Sequence, residues 1–169
     1  MSWSMKMAIR LSARSITTSK DMMDKLPPIE KIYEAYSAIA DGRVTLKDGY
    51  AEVFSSDRKK CYTVSFDDNV YSSNDNSTYW QGYAGYPMIA VLFLQRRLSF
   101  NKETADLFKD INWNLLNKEY KRDYHAAVHS VIEERGLEKE SIEEETKKIY
   151  GSLKDLDIVI KRGKLRPLK

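Results

Sequence analysis

The stretch from Asn69 to Leu98 reads NVYSSNDNSTYWQGYAGYPMIAVLFLQRRL, and it predicts more of the fold than any other part of the chain. A polar turn cluster leads into a segment rich in tyrosine, tryptophan and glycine. Gly85-Tyr86-Pro87 then opens a run that we predict to be a helix from Met88 to Leu98, because proline is tolerated in a first helical turn. A helix that is apolar nearly all round must be covered on several sides, so we expect it in the core.

Short segments rich in β-branched and aromatic residues precede this stretch, and turn signals such as Asp48-Gly49 separate them. In one of them Tyr62, Val64 and Phe66 alternate with polar residues, which predicts one buried face. Ahead of the strands, helical spacing after Pro27-Pro28 predicts a further helix. The predicted strands are residues 44–47, 49–55, 60–66 and 69–73.

The C-terminal part has the pattern of helices. We predict a short helix capped by Asn101, a long helix from Trp113 to Arg135 closed by Gly136, and a last helix over 138–154. Residues 156–161 are a candidate closing strand. The fold class is therefore α+β: a small antiparallel β-sheet, as a hairpin or meander, packed against an apolar helix, with a C-terminal helical region. The predicted divisions are 1–26, an N-terminal basic segment, 27–112, the α+β core, and 113–169, the C-terminal helices and basic tail.

Composition sets limits on class and compartment. A chain of 169 residues is long enough to bury a core, and its 31% charged residues fit a globular protein. One cysteine, Cys61, indicates a reducing compartment, and we predict the cytoplasm. The acid-poor, hydroxyl-rich N-terminus resembles a transit peptide in composition, so organellar targeting stays open. The longest apolar run is too short to span a membrane.

The order of hairpin, polar turn, Tyr/Gly stretch, proline and apolar helix over residues 43–98 resembles the SWIM zinc finger. That family's signature is C-x-C, a spacer, and then C-x-H opening a helix. A hairpin followed by a core helix in a generic α+β arrangement explains the same order. The positions of the second Cys and His are taken by Tyr86 and Met88, and those of the first pair by Ser72 and Asn74 or by Ser73 and Asp75.

These substitutions decide the metal chemistry that we expect. Zinc in a structural site needs four soft or nitrogen ligands in a closed tetrahedron, so we infer no zinc and no other cofactor. His125 and His129 are spaced i, i+4, which is a spacing that zinc sites use. We place them opposite the apolar face of the long helix, near Lys118 and Arg122, where neighbouring cations disfavour a metal ion.

A binding surface is the remaining prediction, because the chain shows no nucleophile arrangement and no phosphate-binding loop. The candidate residues for contacts to nucleic acid are Arg58, Lys59, Lys60, Tyr79, Trp80, Arg96 and Arg97. Core packing of the aromatic side chains and solubility of the charged ones also explain each of these residues taken alone. We expect a non-enzymatic module for nucleic acid or protein, which the SWIM resemblance also implies. The alternatives are a small enzyme with a pocket near Tyr79–Tyr86, or a helical protein-interaction subunit.

Overall fold

A computed structural model describes residues 25–164, and it has the α+β architecture predicted from the sequence. The predicted basic segment 1–26 therefore lies almost wholly outside the described residues. The helices are α1 Lys31–Ala40, α2 Tyr86–Leu94, α3 Lys102–Asp106, α4 Trp113–Glu119, α5 Tyr124–Glu134 and α6 Lys139–Asp155, with a π-helix at Ser77–Gln81. The strands are β1 Val44–Leu46, β2 Tyr50–Phe54, β3 Cys61–Asp67, β4 Val70–Ser73 and β5 Val159–Arg162.

The strands form one sheet in the order β1-β2-β3-β4-β5. The first four strands make an antiparallel meander, as predicted, with Ala51 opposite Val64 and Phe66 opposite Tyr71. β5 pairs with β4 in parallel, so the complete sheet is mixed. The parallel pairing follows from the topology, since α2 to α6 lie between the two strands and return the chain to the same end of the sheet.

Helix α2 lies in the core, as its apolar composition predicts. Ile89, Val91 and Leu92 are fully buried, whereas Leu94 at the end of the helix is half-buried. The helix packs against α1 and against β1, β3 and β4. It ends earlier than predicted, at Leu94, because Arg96 adopts the left-handed conformation with φ 62° and turns the chain. Burial on all sides explains why this segment carries no polar face.

The predicted long helix from Trp113 to Arg135 is wrong, because the chain breaks between α4 and α5. Lys121 and Arg122 both have positive φ, 53° and 67°, and the Arg122 amide donates to the Asn117 carbonyl at 2.7 Å. The Asp123 side chain then accepts from the Ala126 amide at 3.1 Å and caps α5. The C-terminal helix α6 is consequently longer than α4 or α5.

One hydrophobic core crosses the predicted division at residue 112. Val131, Ile149 and Leu153 of the C-terminal helices belong to the same buried cluster as Ile32 and Leu92. Polar bonds add to this packing, since the Trp113 indole donates to the Ser37 hydroxyl at 2.8 Å. The C-terminal helices therefore form one wall of the same body as the sheet.

Candidate functional site

A pocket of about 770 Å³ opens between α1, β3, the segment from Asp75 to Tyr86, and the α4–α5 turn. This volume lies within the range typical of small-molecule sites, roughly 300–1,000 Å³. Its aromatic lining consists of Tyr62, Trp80, Tyr83, Tyr86 and Tyr124, and its amide lining of Asn76, Gln81, Asn114 and Asn117. Aromatic rings together with amides suit a ligand that presents a flat ring with polar edges.

The π-helix forms one side of the pocket and decides where its aromatic rings point. π-Helices are rare, and they occur frequently at functional sites. This one begins after a turn anchored by Asp75 and ends at Gln81, and it is followed by Gly82, whose φ of 76° suits glycine. Tyr79 packs edge-to-face on Trp80 at 4.7 Å, and the Arg162 guanidinium lies 5.4 Å from the Tyr79 ring. Trp80 itself is 64% exposed at the pocket rim.

Asp75 is a buried carboxylate that holds this segment in place. It accepts hydrogen bonds from the Ser73 hydroxyl and from the Thr78 amide, the latter at 3.2 Å. Thr78 in turn accepts from the Gly85 amide at 3.2 Å. Burial raises the pKa of Asp75 above its ordinary value of 3.8, although these hydrogen bonds act in the opposite direction. The carboxylate thus ties the end of β4 to the start of α2 across the π-helix.

Asp75 gives a prediction about pH. Its raised pKa in the folded state contributes stability that is fully present below about 3.8 and is lost as pH rises through the folded-state value. We therefore expect the wild-type protein to lose stability relative to Asp75→Asn as pH rises from about 3 to 7, measured by urea unfolding.

Asp57 provides a control of opposite sign. A backbone hydrogen bond from Lys59 and the Ser55 hydroxyl lower the pKa of Asp57 to about 2. The wild type should therefore lose stability relative to Asp57→Asn as pH falls below 3.8. A stability difference between wild type and Asp75→Asn that stays constant across the pH range would contradict the assignment.

A buried ion pair lies on the α1 side of the pocket. The Lys31 ammonium is 3.0 Å from the Glu34 carboxylate, and both side chains are less than a tenth exposed. The Lys31 ammonium also lies 4.1 Å from the centroid of the Tyr124 ring, and the Asn117 amide donates to Glu34 at 3.4 Å. Burial acts to lower the pKa of Lys31, but the Glu34 carboxylate together with the Tyr124 and Tyr83 rings outweighs it, so the pKa of Lys31 is raised. The pocket therefore contains a charged donor beside a carboxylate acceptor.

Two of the pocket tyrosines, Tyr62 and Tyr86, are protonated hydrogen-bonding groups. Burial raises the pKa of Tyr62, and it raises the pKa of Tyr86 strongly although the nearby Arg43 guanidinium acts to lower it. Neither phenol therefore serves as a base near neutral pH. Their hydroxyls are suited to orient a ligand by hydrogen bonds.

The basic candidates lie at two distant ends of the sheet. Arg58–Lys60 lie on the β2–β3 turn, exposed to solvent, before β3 begins. Arg97 donates to Asn69, beyond the other end of β3, at 2.9 Å and to the Tyr71 hydroxyl at 3.0 Å. A seven-residue strand separates the two groups by about 20 Å. Arg97 therefore joins the end of α2 to the β3–β4 turn, and Arg96 lies beside it.

The two histidines are placed differently from the prediction. His129 is half-buried and faces α6, with its Nε2 3.5 Å from a Glu143 carboxylate oxygen. His125 is exposed, and the two rings lie 4.2 Å apart. His129 is covered because Glu143 of α6 lies against this side of α5. Within residues 25–164, we find no group of three or more His, Cys, Asp or Glu side chains arranged to hold a metal ion.

The positions aligned with SWIM ligands have packing roles. Ser73, Asn74 and Asp75 are buried at the end of β4, and Met88 is fully buried in the core. Tyr86 is half-buried and lines the pocket.

Sequence reasoning missed much of this site, because its residues come from segments far apart in the chain. Lys31 and Glu34 did not enter the sequence analysis, yet both are buried. Lys118 and Arg122 entered only as neighbours of the histidines, yet they line the pocket together with Tyr124. A lysine and a glutamate spaced i, i+3 within a segment flanked by tyrosines and isoleucines were the available signal.

Fold and pocket together define an α+β protein with an aromatic, amide-rich pocket that contains a buried ion pair. The chain belongs to the family described as "Uncharacterised conserved protein UCP014422", whose model matches residues 24–159. No curated protein and no solved structure matches the chain. The family description names no activity. Along residues 25–164, helices are all too short or too polar to cross a membrane.

Proposed function

We propose that this protein is a non-enzymatic module that binds single-stranded nucleic acid, with an unstacked base stacking on Trp80 and entering the pocket. The observation that carries the proposal is the Trp80 side chain, which is 64% exposed beside a pocket lined by aromatic rings and amides. Sequence-specific recognition of RNA generally uses such splayed bases, which stack on aromatic side chains. We expect the ligand in the cytoplasm, because a single cysteine indicates a reducing compartment.

Trp80 has the placement that base stacking requires. Its neighbour Tyr79 packs against the indole edge-to-face, and the Arg162 guanidinium lies over the Tyr79 ring. The indole therefore packs on a tyrosine ring that Arg162 in turn contacts. Stacking on such a ring is tolerant of sequence because every base has a π-face. The amides of Asn76, Gln81 and Asn114 offer both donors and acceptors to base edges.

Cations near the pocket supply the attraction to phosphate. Lys118 and Arg122 line it and are exposed, so they can contact a phosphate backbone at its mouth. The β2–β3 turn with Arg58, Lys59 and Lys60 lies on the side of the pocket formed by α4. The Ser56 hydroxyl of this turn accepts from the backbone amide of Asn114 at 3.3 Å. This arrangement retains the Arg58–Lys60 turn and Trp80 from the predicted interface. It assigns Tyr79 a supporting role and leaves out Arg96 and Arg97.

Catalysis by the same pocket has one observation in its favour, which is that two carboxylates line it. Glu34 is paired with Lys31, however, and Asp75 accepts hydrogen bonds from Ser73 and Thr78. A general base needs a carboxylate within reach of a substrate proton and free to take it. Both carboxylates here have structural partners, so the geometry favours binding over an enzyme.

Replacing Trp80 with alanine should weaken binding to single-stranded DNA and RNA by about 5- to 150-fold, because stacking of a base on an aromatic ring contributes about 1–3 kcal/mol. Fluorescence anisotropy with labelled oligonucleotides measures the effect. Leu115→Ala is the matched control, since Leu115 is 65% exposed but does not line the pocket. It should leave the affinity unchanged.

Salt dependence provides the second readout of the same titration. The affinity of the wild type should fall as salt rises from about 50 to 200 mM, because phosphate contacts release counterions. An absence of binding at low salt, with high micromolar protein, would contradict the proposal and favour a protein partner. Equal affinities of wild type and Trp80→Ala would remove Trp80 from the site.

A further inference from the structure

The ion pair of Lys31 and Glu34 has no evident structural need to be charged. A lysine and a glutamate buried side by side generally contribute little net stability, because desolvation offsets their attraction. Replacing a buried ion pair by apolar side chains of similar volume is often neutral or stabilising. Both side chains nevertheless line the pocket, where each retains hydrogen-bonding capacity toward a ligand.

The capacity that remains can be counted atom by atom. A carboxylate has about four lone-pair sites, two on each oxygen. In Glu34, Lys31 uses one on Oε2 and Asn117 uses one on Oε1, so each oxygen retains one acceptor site. The Lys31 ammonium has three N–H donors, of which one meets Glu34 and another points toward the Tyr124 ring at 4.1 Å. The third N–H donor of Lys31 therefore remains available beside the two free acceptor sites of the Glu34 carboxylate.

We infer that this pair recognises a guanine base. Guanine presents two adjacent donors, N1–H and the 2-amino group, that match both oxygens of one carboxylate, and its O6 is an acceptor for the Lys31 ammonium. Adenine, cytosine and uracil each lack two adjacent donors on that edge. The inference rests on the proposed function, since it names the base that enters the pocket of a single-strand-binding module.

The aromatic surroundings fit the same ligand. Tyr62, Tyr83 and Tyr124 line the pocket together with the ion pair, so a planar purine can lie among rings while its edge meets Lys31 and Glu34. A cationic ligand is disfavoured, because the Lys31 ammonium already lies against the face of Tyr124. A neutral base with a donor-rich edge avoids that repulsion.

The test uses single-stranded DNA oligonucleotides that are identical except for one central base in a thymine background. By fluorescence anisotropy, the guanine oligonucleotide should bind about 5- to 100-fold more tightly than those with adenine or cytosine, as expected for a bidentate contact. Inosine, which lacks the 2-amino group, should fall between them. GMP should displace the guanine oligonucleotide at lower concentration than AMP does, which also tells whether the free nucleotide suffices.

Substitution of the carboxylate tests the residue itself. Glu34→Gln should abolish the preference for guanine over inosine while retaining binding to the thymine background, and the exposed Glu144→Gln should retain the preference. Because Glu34→Gln changes a buried pair, the thermal unfolding of this variant is compared with that of the wild type. The comparison of bases on the wild-type protein does not depend on the variant. Binding without discrimination among the four bases would overturn the guanine inference and leave the proposed function standing. No binding to any oligonucleotide would overturn both.

Discussion

Leu92→Ala is expected to lower the free energy of unfolding by about 2–5 kcal/mol. Leu92 is fully buried in α2 and belongs to the cluster that joins the sheet to the C-terminal helices. Truncation removes apolar contacts and leaves a cavity that tight packing on all sides of α2 prevents from collapsing. Urea unfolding of wild type and variant measures the loss.

Leu115→Ala is the control for this substitution, since the same chemical change at a side chain that is 65% exposed should cost less than about 0.5 kcal/mol. A loss below about 1 kcal/mol for Leu92→Ala would mean that α2 is peripheral to the stability of the fold. A change in the denaturant slope, rather than in the midpoint, would point instead to an altered unfolded or native state.

The parts of the fold that sequence predicted are those with a local physical cause. An apolar run after Gly85-Tyr86-Pro87 is compatible with few structures other than a buried helix. Helix α2 is such a buried helix. Turn residues such as Asp48-Gly49 predicted where the strands end, because these residues are favoured in turn conformations that most other residues disfavour. Asn101 caps α3 by accepting from the Glu103 and Thr104 amides, as its position suggested.

The break between α4 and α5 could not be predicted in the same way, because Lys121 and Arg122 are good helix formers that here adopt left-handed conformations. Tertiary packing overrides that preference, since Val128 and Val131 of α5 and Trp113 of α4 all reach the same core. Asp123 was the one local signal for a new helix start.

The pocket was harder still to predict, since it exists only where separate segments meet. The sequence places Trp80 and Tyr83 near each other, but Lys31, Asn117 and Arg122 reach them only through the packing of α1 and the α4–α5 turn. No local sequence pattern predicts that these residues lie close together. Charges and tyrosines on different elements therefore looked like separate solvated or packed side chains.

Gly85→Ala is expected to cost about 2–5 kcal/mol and to disturb the site as well as the fold. Gly85 has an extended backbone with φ −74°, so conformation alone would allow any residue there. Space does not allow one: a Cβ at this position would lie 2.1 Å from the Asp75 Oδ2. Asp75 would have to move, and the buried bond from the Thr78 amide would be lost.

Gly151→Ala is the matched control, because it makes the same change within α6 where a Cβ would meet nothing within 4 Å. It should be neutral or stabilising by about 0.5–1 kcal/mol, since alanine favours helix more than glycine does. Thermal or urea unfolding of both variants tests the contrast. Equal stabilities of Gly85→Ala and wild type would show that the segment around Asp75 relaxes freely.

A double substitution isolates the cause of the expected loss. If the clash with the Asp75 carboxylate is responsible, Gly85→Ala should cost much less when Asp75 is already alanine, because the space is then free. Additive costs would instead assign the loss to other neighbours, such as the Ser77 side chain at 3.1 Å. Because Asp75 and Gly85 bracket the π-helix that presents Trp80, Gly85→Ala should also weaken single-strand binding. A small stability cost of Gly85→Ala in the Asp75→Ala background, together with weak binding of the double variant, would separate the role of Asp75 in the fold from its role in positioning Trp80.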